Sequence, residues 1–563
     1  MVNYIKKHKA LFLIILPALI YHMIIIMPSG SYYCRDGACG IYFWGAHNHD
    51  AIWHLAVASF SFSSFPFQMP IFSGAELSGY NMLLDIVLYI FSLFGIPPII
   101  SYFKLLPLVW FILFAGVAVV FARKIKDSAL FVGAFLFFLF FGGSFAYFLT
   151  LFHNGTIWGS GDLLAIQGAH MTINLQFSFS IPILFGILFL LSKKLNSTTD
   201  SIVLGVLVAL NFGLKFYGGV LSLFFAVIYL AQWYFRKKNI YQVLIQSIIV
   251  VLPATFSILF FYNPFSALSS GSVFILSPFA IVHSIIEDPS LFYLKDQVLA
   301  RYSLQSVGWS PRLFLIEFTT MFLFILLNLG TRFVGLIYFI LQLVRKKISR
   351  LEWYIIGGII FSTVLAVAFI QKGVWWNTVQ FFYYAIVLSN IFAAKAVYEI
   401  LKRKNLFLTI VGITILIFTL PTSIDLLRIF TSRHALYIEK GELQALSFLK
   451  DQEQGIVFHS FDKNLNSNYS FYSYEDTSYI PAFTGKQSYL ANFVQLKLTG
   501  IDYENRLNRI NKLDCSIFNE VDYVYYVNAM KKELITKCKN SSLISFVEIF
   551  ENNKVSILKK QPK

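Results

Sequence analysis

What most limits the folds open to this chain is the recurrence of apolar runs long enough to cross a lipid bilayer. A helix rises about 1.5 Å per residue, so about 20 apolar residues cross the hydrocarbon core. Runs of that order begin at Leu11 and recur as far as Leu420. Short basic clusters punctuate them: Lys6-Lys7, Arg123-Lys124-Lys126, Lys193-Lys194, Arg236-Lys237-Lys238, Arg345-Lys346-Lys347 and Lys402-Arg403-Lys404. Basic residues beside span ends mark the cytoplasmic side. The net charge of +16 is therefore a topology signal and implies membrane lipid, not nucleic acid, as the surrounding partner. A chain that is 57% hydrophobic and 13% charged reads as an integral, multi-pass membrane protein.

The clusters order the spans. Leu11 to Met27 leaves the inside and, lacking a small-residue cleavage site, reads as an uncleaved anchor. Residues 29–101 then form a first outer loop. Met82 to Phe94 is apolar but ends at Gly95-Ile96-Pro97-Pro98, and counting it as a span would place the Arg123 cluster outside. Residues 50–64 and 80–94 are therefore expected as interfacial helices. Tyr102–Ala122, Ala129–Leu149, Ile173–Leu191, two short helices within Ile202–Leu230, Tyr241–Phe261, Leu313–Val344, Trp353–Ile370, Val379–Val397 and Leu406–Leu420 complete about eleven spans, N-terminus in and C-terminus out. Gly330-Thr331-Arg332 interrupts one of them.

From about Asp425 polar residues dominate. The expected fold class is mainly α: a polytopic helical domain over 1–424 and a small extracytoplasmic α/β domain over 425–563. The latter shows a helix at Glu442–Lys450, strands at Gly455–Ser460 and Val521–Val527, and a hairpin of Phe546–Phe550 and Val555–Leu558 turning at Asn552-Asn553. The four cysteines, Cys34, Cys39, Cys515 and Cys538, all fall outside in this topology, where local disulfides 34–39 and 515–538 are expected. Zinc is the competing reading, although their spacing matches no closed zinc motif.

Polar side chains gather on the outer face. His47, His49, Asp50 and His54 stand in the first loop with Asp85 beyond them. His153, Asp162 and His170 stand in the second, and Lys215, Arg301, Lys372 and Gln380 on later outer segments. Asp50 is the candidate general base, supported by His49 and His54, because a carboxylate can take a proton from an acceptor hydroxyl or amine while an activated phosphate leaves. Lys215 and Arg301 would neutralise that phosphate, with Lys372 a further cation. His47, Asp85, His153, Asp162, His170, Lys372 and Gln380 are candidate substrate contacts. A divalent metal is a second local reading, since His47 and His49 alternate on an extended strand while Asp50 and His54 share a helical face.

An acidic residue in a first outer loop, interfacial helices, a lysine at a helix break in Leu214-Lys215-Phe216-Tyr217-Gly218-Gly219, and an outer C-terminal domain together resemble the C-type (GT-C) glycosyltransferases. The stretches from Trp376 to Tyr384 and from Tyr479 to Gly485 resemble segments of bacterial members of that kind. The resemblance implies a polyprenyl-phosphate sugar donor, a lipid, glycan or protein acceptor, and a catalytic aspartate at Asp50. The family's usual Asp-x-Asp or Glu-x-Asp is replaced by His47-Asn48-His49-Asp50, so a second carboxylate either comes from Asp36, Asp85 or Asp162 or is unnecessary. A flippase for a lipid-linked saccharide and a non-catalytic scaffold of envelope assembly are the rival readings. A carrier would show paired broken helices with ionisable groups near mid-membrane.

Overall fold

The computed structural model describes the chain except for residues 1, 160–162, 194–196, 265–272, 433–434, 460–476, 513, 528–537, 539–545 and 562–563. Among the described residues eight helices are long and apolar enough to cross a membrane, or ten when each of two bent pairs counts as one span. The chain is an integral, multi-pass membrane protein. Its difference from the expected eleven spans is the Thr198–Leu214 helix, which has only 17 residues. The helix that follows it, Phe216–Lys237, has 22 residues and is not short.

The chain divides into two compact units, Met1–Ile25 with Leu108–Ser432, and Ile26–Pro107 with Arg433–Lys563. This corrects the expected division at 424/425, because the first outer loop belongs with the C-terminal segment.

In the helical unit the breaks are as informative as the helices. Ala129–Phe141 and Ala146–Asn154 meet at 49°, and Gln167–Ile173 and Leu175–Leu191 meet at 112° about Asn174. Pro311–Leu329 and Phe333–Val344 run on as one apolar segment through the short Gly330–Arg332 turn, where Gly330 takes φ 57°, a left-handed conformation that glycine adopts without strain. His22, inside the first span, donates from Nδ1 to the Ala18 carbonyl at 2.8 Å and packs among Trp110, Phe111 and Phe140, a structural role.

The other unit is built by backbone pairing. Strand Ala38–Trp44 pairs antiparallel with Ser31–Arg35 on one side and with Ala435–Glu439 on the other. A five-stranded sheet follows in the order Gln487–Ser488, Ile456–His459, Tyr523–Val527, Val555–Lys560, Phe546–Glu551. Its first three strands are parallel and the last two antiparallel, and the hairpin turns at Asn552, which accepts from the Lys554 and Val555 amides. The loop lies along its edge: the amides of Ser488 and Ala491 donate to the Pro70 and Ile71 carbonyls, each at 2.9 Å. Arg506 fastens it, donating to Ser73 Oγ at 2.9 Å and Ser73 O at 2.8 Å with its guanidinium over the Phe72 ring.

Both helices expected in the first loop form, at Asp50–Phe60 and Leu83–Leu93. Each has 11 residues, about 16 Å and too short for a span. Leu83–Leu93 buries Leu84, Asp85 and Leu88 and leaves Ile90 and Leu93 exposed, as an interfacial helix does. The interfacial expectation for 50–64 is corrected, because Asp50–Phe60 is buried from Ala51 through Ala58. It packs within its unit on Tyr479–Thr484, with Ser59 Oγ donating to Ala482 O at 3.0 Å. That apolar run is the core of the unit.

Candidate active site

In the loop unit the Cys34–Cys39 disulfide joins directly opposed residues of the hairpin, and the chain leaves its second strand through the Gly45–Asn48 turn into the helix that starts at Asp50. His47 is buried, its Nδ1 bonded to Ser29 Oγ at 2.8 Å, and Ser29 Oγ also accepts from the Trp44 amide at 3.0 Å. Lys104 adds bonds to Met27 O, to Ser29 O at 3.1 Å and to Ser31 Oγ at 2.6 Å. His47 thus fastens the loop to its own opening residues, 27–31, and is corrected from substrate contact to structural residue.

Asp50 is the first residue of its helix, where the aligned peptide dipoles favour a negative charge. Its side chain is 27% exposed, and His49 Nδ1 lies 3.6 Å from Oδ1. One turn on, His54 bonds through Nδ1 to Asp85 Oδ1 at 2.9 Å, and neither side chain of that pair has any exposure. A carboxylate only accepts, so Nδ1–H donates. Asp85, expected on substrate, instead orients His54. Tyr80 and Tyr102 flank the imidazole at 5.8 and 6.1 Å, with Tyr102 stacked on it. Burial, then the Asp50 and Asp85 carboxylates, push the Tyr80 phenol well above its ordinary range, so it stays an O–H donor beside them.

The histidines diverge, His47 to Ser29 and His54 to Asp85. Among the described residues no group of three or more histidine, cysteine, aspartate or glutamate side chains could hold a metal ion. Both cysteine pairs are disulfides, which removes zinc from them.

In the helical unit Lys215 occupies the break between Thr198–Leu214 and Phe216–Lys237, its backbone extended at φ −157° and ψ 118°. It is 6% exposed and donates from Nζ to Asn174 Oδ1 at 3.4 Å, so two helix breaks meet at this pair. Gly218 lets Tyr384 close on the turn, since a Cβ there would lie 2.5 Å from the Tyr384 hydroxyl. Beside it Tyr217 and Asn377 both donate to Gln371 Oε1, at 3.0 and 2.7 Å, and Gln380 donates to Asn377. His170 stacks on Tyr383 with ring centres 3.5 Å apart.

Other expected residues stand elsewhere. Arg301 is corrected as a phosphate clamp, because it is buried and donates to Glu317 and Glu287, each at 2.9 Å, while His283 holds the second Glu317 oxygen. Its charge is already matched. His153 bonds to the Leu291 carbonyl, Lys372 is exposed after the Phe369–Gln371 strand, and Asp162 lies outside the described residues. Asn174 and Tyr80 are residues that sequence reasoning missed. Asn174 carries a helix-cap signal, its side chain accepting from the Phe177 amide, whereas nothing in the local sequence marks Tyr80.

No protein-family model matches the sequence, and no curated protein is significantly similar to it. Among solved structures, the oligosaccharyltransferase of Archaeoglobus fulgidus in complex with zinc and sulfate is similar at 14% identity and a TM-score of 0.40, over 92% of this chain and 68% of that one. ArnT of Cupriavidus metallidurans bound to undecaprenyl phosphate is similar at 10% identity and a TM-score of 0.41, over 98% of each chain. These identities and scores leave the functional reading to this chain's own residues.

Proposed function

We propose that the protein is a membrane glycosyltransferase that moves a sugar from a polyprenyl-phosphate donor to a lipid, glycan or protein acceptor of the cell envelope on the outer face of the membrane. The observation that carries the reading is Asp50, a part-exposed carboxylate at the start of a buried helix with the His54–Asp85 pair one turn behind it. Asp50 takes the proton of the acceptor O–H or N–H as that atom bonds to the anomeric carbon. The bond from that carbon to the phosphate oxygen breaks, and the phosphate leaves with the electron pair. Taken by itself, the helical unit offers Lys215, held at a helix break, as the cation for a donor phosphate. His54, oriented by Asp85, and Tyr80 order the surroundings of the base. No step requires a metal. Disulfides in the first loop and in the C-terminal region support an oxidising, extracytoplasmic setting for both.

The test is Asp50→Asn in membranes supplied with polyprenyl-phosphate sugars. Transfer is expected to fall by at least about two orders of magnitude, the scale of a lost general base. A variant transferring at the wild-type rate refutes the mechanism. The carrier reading stays in view because of Arg332, an arginine buried at a helix break. It wins if neither protein transfers sugar while both move labelled lipid between leaflets.

A further inference from the structure

Arg332 interrupts the Pro311–Val344 segment and is 1% exposed. From the break to the basic-flanked end of that segment, Phe333–Val344 has 12 residues, and the corresponding inner portions Ala129–Phe141 and Leu406–Ile417 have 13 and 12. At about 1.5 Å per residue these lengths set the breaks about 18 Å from the inner ends, near the middle of a core about 30 Å thick. A guanidinium at that depth is costly unless its donors are met.

Arg332 meets them without an acid. Nε donates to Leu329 O at 3.1 Å, Nη2 to Gly143 O at 2.8 Å and Nη1 to Gln167 Oε1 at 3.3 Å, and among the described residues no carboxylate pairs with it. Gln167 is itself buried, donates to Leu139 O at 2.5 Å and accepts from Asn390 Nδ2 at 2.8 Å. Gln167 opens the seven-residue helix Gln167–Ile173, and the residue just past its other end is Asn174, the partner of Lys215. One buried cation therefore holds each end of this helix. Neither alone would fix it, because a helix of two turns has few internal hydrogen bonds and takes its place from what grips it.

We propose that Arg332 is a positioning residue: by gripping Gln167 it sets the pose of the 167–173 helix, and so the place at which Asn174 meets Lys215 in the donor-phosphate turn. The proposal rests on the reading that Lys215 carries the donor phosphate. A purely structural arginine would change stability and leave phosphate affinity alone.

The experiment measures binding of a polyprenyl phosphate to the full chain in lipid nanodiscs, alongside thermal stability. Arg332→Met and Gln167→Leu are each expected to weaken binding about ten-fold, the scale of one lost buried polar contact. The double variant should be no weaker than the worse single one, because both sever the same link. If Arg332→Met does not fold, Gln167→Leu carries the test. Wild-type affinity in Gln167→Leu, or additive losses in the double variant, overturns the proposal. Lys215→Met separates the two readings. If it binds normally, the phosphate role of Lys215 falls and the proposal with it. If it loses binding while Gln167→Leu does not, only the proposal falls.

Discussion

Replacing Asp85 probes the interior of the loop unit most directly. Its carboxylate and the His54 imidazole have no exposure and meet at 2.9 Å. Asp85→Ala removes this acceptor from Nδ1 and leaves a void. An unmet buried polar group costs about 1–3 kcal/mol, and the void left by the missing side chain adds to that. We expect about 3 kcal/mol, which is about two orders of magnitude in local opening at about 1.4 kcal/mol per decade. Asp85→Asn keeps an acceptor oxygen and loses only the charge assistance, about 1 kcal/mol. The assay is hydrogen exchange read by mass spectrometry on peptides spanning 50–60 and 83–93 of the full chain, which follows this unit without assuming that the whole protein unfolds in one step. Unchanged protection in Asp85→Ala, or equal losses in both variants, would show that the hydrogen bond does not hold the two helices as described.

Gly219→Ala should cost about 1–3 kcal/mol in thermal unfolding, since its Cβ would lie 2.9 Å from the Phe212 Cα and a backbone cannot swing aside. Arg506→Ala should open residues 66–76 to proteases, losing about 2 kcal/mol from its bonds to Ser73 and its place over Phe72. Asp514 accepts from Ser516 and then Arg509, which hold its carboxyl down at about 2 against an ordinary 3.8. A depressed folded value contributes stability above the unfolded one, so that contribution should be intact above pH 4 and fade as pH falls from 4 towards 2. Acid titration of the C-terminal region, compared with Asp514→Asn, checks the slope. Cys515→Ser should lower that region's stability by about 2–4 kcal/mol, because the lost bridge closes a loop with a sequence separation of 23, and non-reducing peptide mapping should show Cys538 newly reactive.

The carrier and transferase readings separate on what Lys215 and Arg332 do in the helical unit. Lys215 was legible as a candidate because a lysine within an apolar run, followed by two glycines, announces a broken helix. Arg332 carried the same announcement, but sequence alone could not say whether an arginine beside Gly330 faced water, a carboxylate or carbonyls. The fold answers that with Leu329, Gly143 and Gln167. Arg301 shows the opposite case. Nothing near it in sequence marks Glu317, 16 residues on, as its partner, and the pairing withdraws it from ligand chemistry.

What the sequence determined by itself is whatever depends on local hydropathy and charge. Lipid offers no hydrogen bonds, so apolar length compels helices, and basic clusters order them. Short-range turn chemistry likewise foretold the terminal hairpin, and the outer placement of all four cysteines foretold both local disulfides. What only the tertiary structure decided is which distant segments share an interior. Ala38–Trp44 and Ala435–Glu439 lie nearly 400 residues apart, yet they pair because an edge strand's unmet amides must find carbonyls somewhere. That pairing drew the first loop into one body with the C-terminal sheet. Of the first loop's histidines it turned His47 into a fastening and His54 into the partner of Asp85, and it left Asp50 part-exposed at a helix start.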